Sequence, residues 1–137
     1  MKTSKMLRIT TITMLMLLFV AAGSVFAQQK QPGGWKANMP AKYKTMKGKG
    51  DVAAGKELYI KHCKSCHGPK GLGDGPKAAS MKTFPGDFSG SKFQSYSDGE
   101  LYYITVIGYE EMPAYEKKVT DDEDRWALVA YMRSLKK

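Results

Sequence analysis

The sequence predicts an all-α fold. Three stretches between residues 51 and 137 place apolar residues near helical spacing behind a capping residue, and a long Gly/Pro-rich loop fills much of the remainder. Three helices and long loops leave little room for a sheet in a unit of this size.

Asp51 caps the first helix, VAAGKELYIKHC, in which Val52, Leu58, Tyr59 and Cys63 fall near one face and no proline intervenes. Between Gly68 and Gly90 the chain is broken by Pro69, Gly71, Gly73, Gly75, Pro76, Pro85 and Gly86. A structureless loop of that length in a compact domain usually has a functional reason. SDGE at 97–100 is a capping box that opens LYYITVI, and Gly108 stops that helix. TDDE at 120–123 reads as a second box opening DRWALVAYMRSLKK. Its acidic residues lie at the positive end of the helix dipole and its lysines at the negative end.

The N-terminus has a different character. Lys2, Lys5 and Arg8 precede an uncharged apolar run, and VFA places small or branched residues before a polar start at Gln28. This is the pattern of a secretory signal peptide over 1–27. The alternative is an uncleaved anchor, because Ile9 to Ala27 is 19 uncharged residues and a spanning helix needs about 20. Both readings export residues 28–137, into a bacterial periplasm. Residues 28–50 are rich in Lys, Gly, Pro and Gln without an apolar period, and read as a mobile or surface-draped arm. Trp35 and Tyr43 are either pinned to the domain or exposed. The packed domain is 51–137, short enough that a disulfide, metal or cofactor is expected to help hold it together.

The chemistry concentrates in YIKHCKSCHGPKGLGDG, where Cys63 and Cys66 are the only cysteines and His67 follows at once. A thiol oxidoreductase places such a pair at a helix N-terminus, whereas this pair falls at a helix C-terminus, where the dipole opposes a thiolate. A disulfide across two residues would close a tiny loop and gain little. A zinc site needs four ligands, and only His62 and His67 could complete it within six residues. C-x-x-C-H is instead the attachment signature of haem c. Positions i and i+3 aim both sulfurs at one face, where they form thioethers with two vinyl groups. His67 then offers its imidazole to the iron as the proximal ligand.

A thioether in the remaining iron position would favour ferrous iron and suit an electron carrier. Met39 and Met46 lie in the polar arm, and Met132 shares a helix face with Leu128 and Leu135. Met81 lies in the long loop and stays a candidate. Met112, in GYEEMPAYEKK, follows the end of the helix stopped at Gly108, and Pro113 stiffens the backbone after it. A short rigid loop between two helices suits a ligand, so Met112 is the preferred sixth ligand. His62 is a poor rival, because its helix already lies on the proximal side.

GKELYIKHCKSCHG, then MP, then RWALVAYMRSL, resembles the class I cytochrome c family of small bacterial monohaem carriers over residues 51–135. It also resembles the cytochrome domains attached to terminal oxidases and periplasmic dehydrogenases. The resemblance implies the class I cytochrome c fold, with three to four helices and long loops wrapped around one covalent haem. Its N-terminal and C-terminal helices would cross nearly at right angles. Gly55 would then permit their close approach, and Tyr59 would pack near Leu128 and Tyr131. The resemblance also implies a proline carbonyl holding the proximal imidazole, with Pro85 preferred and Pro76 the rival. It carries no role for 28–50.

Removing Lys2, Lys5 and Arg8 from the 22 Lys+Arg leaves 19 against 13 Asp+Glu, a net charge of +6 before the haem propionates. Lys61, Lys64, Lys70, Lys77 and Lys82 surround the attachment motif. A positive rim there would steer docking to an acidic redox partner such as a dehydrogenase, reductase or terminal oxidase. The bland reading is solubilising lysines, and Glu110 and Glu111 beside Met112 interrupt the rim. Nucleic acid is not an expected target for an exported chain. The expectation is a monohaem electron carrier, not an enzyme, in the periplasm and membrane-bound only if the N-terminal segment is retained. The alternative is a haem peroxidase or small-molecule sensor with an open iron position, for which no distal histidine is available.

Overall fold

The N-terminal and C-terminal helices of the domain meet through a glycine. A computed structural model describes residues 34–137, so the expected signal segment 1–27 and the start of the arm lie outside the described residues. Six α-helical segments follow in order: α1 (Ala41–Thr45), α2 (Val52–His62), α3 (Lys64–His67), α4 (Ser91–Gln94), α5 (Asp98–Ile107) and α6 (Asp122–Ser134). Short 3-10 turns occupy Trp35–Asn38 and Ala78–Ser80. No strand is present among the described residues, and an isolated bridge joins Tyr109 and Met112.

The caps explain where the long helices begin. Asp51 accepts from the Ala54 N–H at 2.8 Å, and the Ser97–Glu100 capping box makes both of its bonds. The box expected at Thr120 is a correction: the cap is Asp121, whose carboxylate accepts from the Glu123 N–H two residues on. With Asp121 in an extended conformation, its short side chain reaches that N–H directly and the helix starts one residue later.

Between α2 and α6, a Cβ on Gly55 would fall 1.9 Å from the Ala127 carbonyl oxygen, so only glycine permits this approach. Tyr59 lies beside it in the core with Leu128, its ring 5.0 Å from that of Tyr131. α5 supplies Leu101, Tyr102 and Val106 to the same core. Arg133 of α6 pairs with Asp98 at 2.8 Å and donates to the Gln94 carbonyl. The Gln94 amide in turn donates to the carbonyls of Phe88 and Met132, which fixes the loop against α6.

The described part of the arm is draped over α5. Met39 is buried against Tyr103, the Tyr43 ring lies 4.7 Å from that of Tyr103, and Lys36 pairs with Glu100 at 2.6 Å. Tyr43 is thus pinned; the side chain of Trp35 falls outside the described residues. Among the described residues no helix is long and apolar enough to cross a membrane.

Candidate haem site

α2 ends at Cys63, which is also the N-cap of the single turn α3. The N–H groups of Cys66 and His67 both donate to the Cys63 carbonyl, at 3.2 and 3.0 Å, so the C-x-x-C-H segment is one tight helical turn. The following loop folds back onto it. Gly73 and Gly75 donate to the carbonyls of His67 and Cys66, and Lys77 donates to that of Ser65. Gly75 permits this approach, since a Cβ on it would fall 2.5 Å from the Ser65 carbonyl oxygen.

Cys63, Cys66, His67 and Met112 all line one apolar cavity, with about 900 Å³ of atom-free space that is partly open to solvent. Phe84, Phe88, Phe93, Leu101, Ile104 and Met132 supply much of its wall. Met81 lines it too, so the cavity brings both loop methionines to the site. Pro85 is in the wall, whereas Pro76 is exposed and does not reach it.

The electrostatics argue against thiol chemistry. Burial, and then the neighbouring Cys66, push the Cys63 thiol up to about 12, far from the reactive range. Burial likewise lowers the His67 imidazole to about 4, with the Pro85 backbone opposing it. His67 is therefore neutral and able to bind a metal. Its ring lies 4.5 Å from that of Phe88, which is stacked on Phe93. His67 Nδ1 is buried and makes no well-formed hydrogen bond, although the Pro85 carbonyl acts on the ring. A buried neutral imidazole and two thiols along the edge of an apolar cavity fit a flat, metal-bearing, covalently tethered group.

The sequence profile of cytochrome c oxidase, cbb3-type, subunit III, matches residues 50–132. The chain belongs to this c-type cytochrome family. Membership brings covalently bound haem c, and Cys63 and Cys66 have the attachment spacing. The cytochrome is 33% identical over 86 residues to a thiosulfate dehydrogenase of Stutzerimonas stutzeri (strain A1501), across 61% of this chain. It spans only about a quarter of that protein's length, 27%. Among solved structures it resembles the reducing HAO-like protein complex of Kuenenia stuttgartiensis, at a TM-score of 0.57 and 33% identity. That match covers 63% of this chain and 44% of the other. The KustC0563 c-type cytochrome matches at a TM-score of 0.52 and 30% identity, covering 61% of this chain and 98% of the other. The cytochrome is all-α, as the sequence predicts.

Several residues around the cytochrome's cavity escape a local reading. Tyr115 donates from its hydroxyl to the His62 carbonyl at 2.8 Å and lines the cavity. Thr83 is buried and bonded to both Glu110 and Glu111. The aromatics in FPGDF were a usable signal for Phe88, but nothing near Thr83 announces its partners. A second groove adjoins the cavity and is bordered by Lys61, Lys77 and Lys118.

Proposed function

We propose that the chain is an exported electron carrier with His67 and Met112 as axial ligands, residues 51–137 being the haem-binding unit. The convergence of Cys63, Cys66, His67 and Met112 on one apolar cavity carries this reading. Haem c supplies a one-electron ferric–ferrous couple when bound. Cys63 and Cys66 would hold it through two thioethers, and His67 would bind the iron through a neutral imidazole that Phe88 keeps in place. Met112 would offer a soft thioether to the iron, which would favour the ferrous state. The phenylalanine-lined wall would make the surroundings of the iron largely apolar, which would limit the reorganisation that accompanies each electron.

Export to the periplasm is supported by the N-terminal charge and hydropathy pattern. Redox proteins are the partners, consistent with relatives named as a dehydrogenase and as part of an HAO-like complex. The lysines beside Cys66 suit a partner with an acidic face.

Met112→Ala in the haem-loaded protein separates carrier from catalyst. The wild type should be low-spin, with a weak far-red ferric band and little affinity for carbon monoxide. The variant should lose the band, bind carbon monoxide and have a lower reduction potential, while Met81→Ala changes none of these. A wild type that binds carbon monoxide readily would favour the peroxidase or sensor reading. A Met81 variant with the losses expected of Met112→Ala would move the ligand to Met81.

A further inference from the structure

Tyr109 and Met112 exchange backbone hydrogen bonds, the Tyr109 N–H donating to the Met112 carbonyl at 3.0 Å and the Met112 N–H to the Tyr109 carbonyl at 2.9 Å. They close a two-residue turn made of Glu110 and Glu111. Glu110 has φ of +53°, the one positive value among the described non-glycine residues. A glutamate in that region is strained unless its surroundings hold it there. Gly108 enters the turn at φ +71°, and a Cβ on it would lie 2.5 Å from the Met112 carbonyl oxygen. The backbone that carries Met112 is thus tightly folded.

Both turn side chains reach across to one residue far away in sequence. The Glu111 carboxylate accepts from the Thr83 N–H at 2.8 Å, and the Glu110 carboxylate accepts from the Thr83 hydroxyl. Thr83 is buried, two residues from Met81 and two from Pro85, in the segment that walls the same cavity. Two adjacent carboxylates would ordinarily repel and turn to water. Their bonds to a single buried threonine account for the strained turn and for the placement of the methionine after it.

We propose that Glu110, Glu111 and Thr83 form a clamp whose task is to position Met112 over the iron. The inference rests on Met112 being the sixth ligand. The three are positioning residues: they fix where the thioether sulfur is held and leave its chemistry to Met112. Groups that orient a ligand in this way typically cost ten- to a hundredfold in metal affinity when removed.

The test uses haem-loaded protein purified as Glu110→Ala/Glu111→Ala, as Glu110→Gln/Glu111→Gln, as Thr83→Val and as Met112→Ala. The readouts are the far-red ferric band and carbon monoxide affinity in the ferrous state. The double alanine variant should weaken the band and bind carbon monoxide at least about tenfold more tightly than the wild type. The double glutamine variant should stay close to wild type, because an amide oxygen accepts from the same donors. Thr83→Val, which loses only the hydroxyl bond, should fall between them and serves if the double alanine variant does not accumulate. An unchanged band and affinity in the double alanine variant, alongside their loss in Met112→Ala, overturns the clamp while leaving the ligand intact. Equal impairment of the glutamine and alanine variants also overturns it, since charge rather than hydrogen bonding would then be at work. A band that survives in Met112→Ala removes the ligand assignment itself, and the clamp with it.

Discussion

The Tyr59 hydroxyl donates a buried hydrogen bond of 2.7 Å to the carbonyl of Gly68, the residue immediately after His67. The same side chain that packs α2 on α6 therefore also holds the end of the C-x-x-C-H turn. Its burial raises the phenol well above its ordinary range, so it stays a neutral donor.

Tyr59→Phe should keep the packing and lose the bond. The Gly68 carbonyl retains the Gly71 N–H at 3.3 Å, so it is not left bare. The expected cost is about 1 kcal/mol, read as a lower urea midpoint at unchanged slope. An unchanged midpoint would mean that the bond contributes nothing net.

Gly55→Ala should be harsher. The added methyl meets a carbonyl oxygen in the backbone of α6, which no rotamer change can move aside. Separation of α2 from α6 should cost on the order of 3 kcal/mol, measured on the haem-loaded protein by denaturant unfolding. Lys56→Ala, one residue on and exposed, is the control and should change stability little.

Lys64 and Lys70 are exposed beside the haem motif. Reversing both charges should slow electron exchange with the native acceptor about tenfold or more at low ionic strength. The difference should shrink as salt shortens the screening length to about 10 Å near 0.1 M. Stopped-flow rates across a salt series read both effects. Rates indifferent to salt and to these substitutions would point to a permanent, largely apolar interface.

Local signals were legible wherever one residue acts on its near neighbours. Asp51, the Ser97–Glu100 box and Gly108 set helix ends through bonds spanning three or four residues, and each is found where the sequence places it. Thr120 misled because Asp121 beside it caps more directly. The burial of Met39 was hidden in a lysine-rich stretch, since it sits between a four-residue 3-10 turn and the five-residue α1, too few turns to show a period. Glu110 and Glu111 read as surface charges interrupting a basic rim, yet both bond to Thr83, 27 and 28 residues earlier. Such pairings depend on how the loops close over the cavity, which spacing does not encode. For the same reason Met81 and Met112 both reach the cavity, and spacing alone does not rank them.

The Gly55–Ala127 crossing also sets an order of events in the life of the chain. An isolated eleven-residue helix is marginal in water, so α2 gains its main support only when α6 docks on it. Synthesis delivers the C-x-x-C-H turn long before α6 exists. Throughout that interval the two thiols hang from a fraying helix end, open to whatever machinery joins them to the porphyrin. Docking of the last helix then fixes that turn and leaves both thiols only partly exposed, so the fold narrows the access to them as it forms.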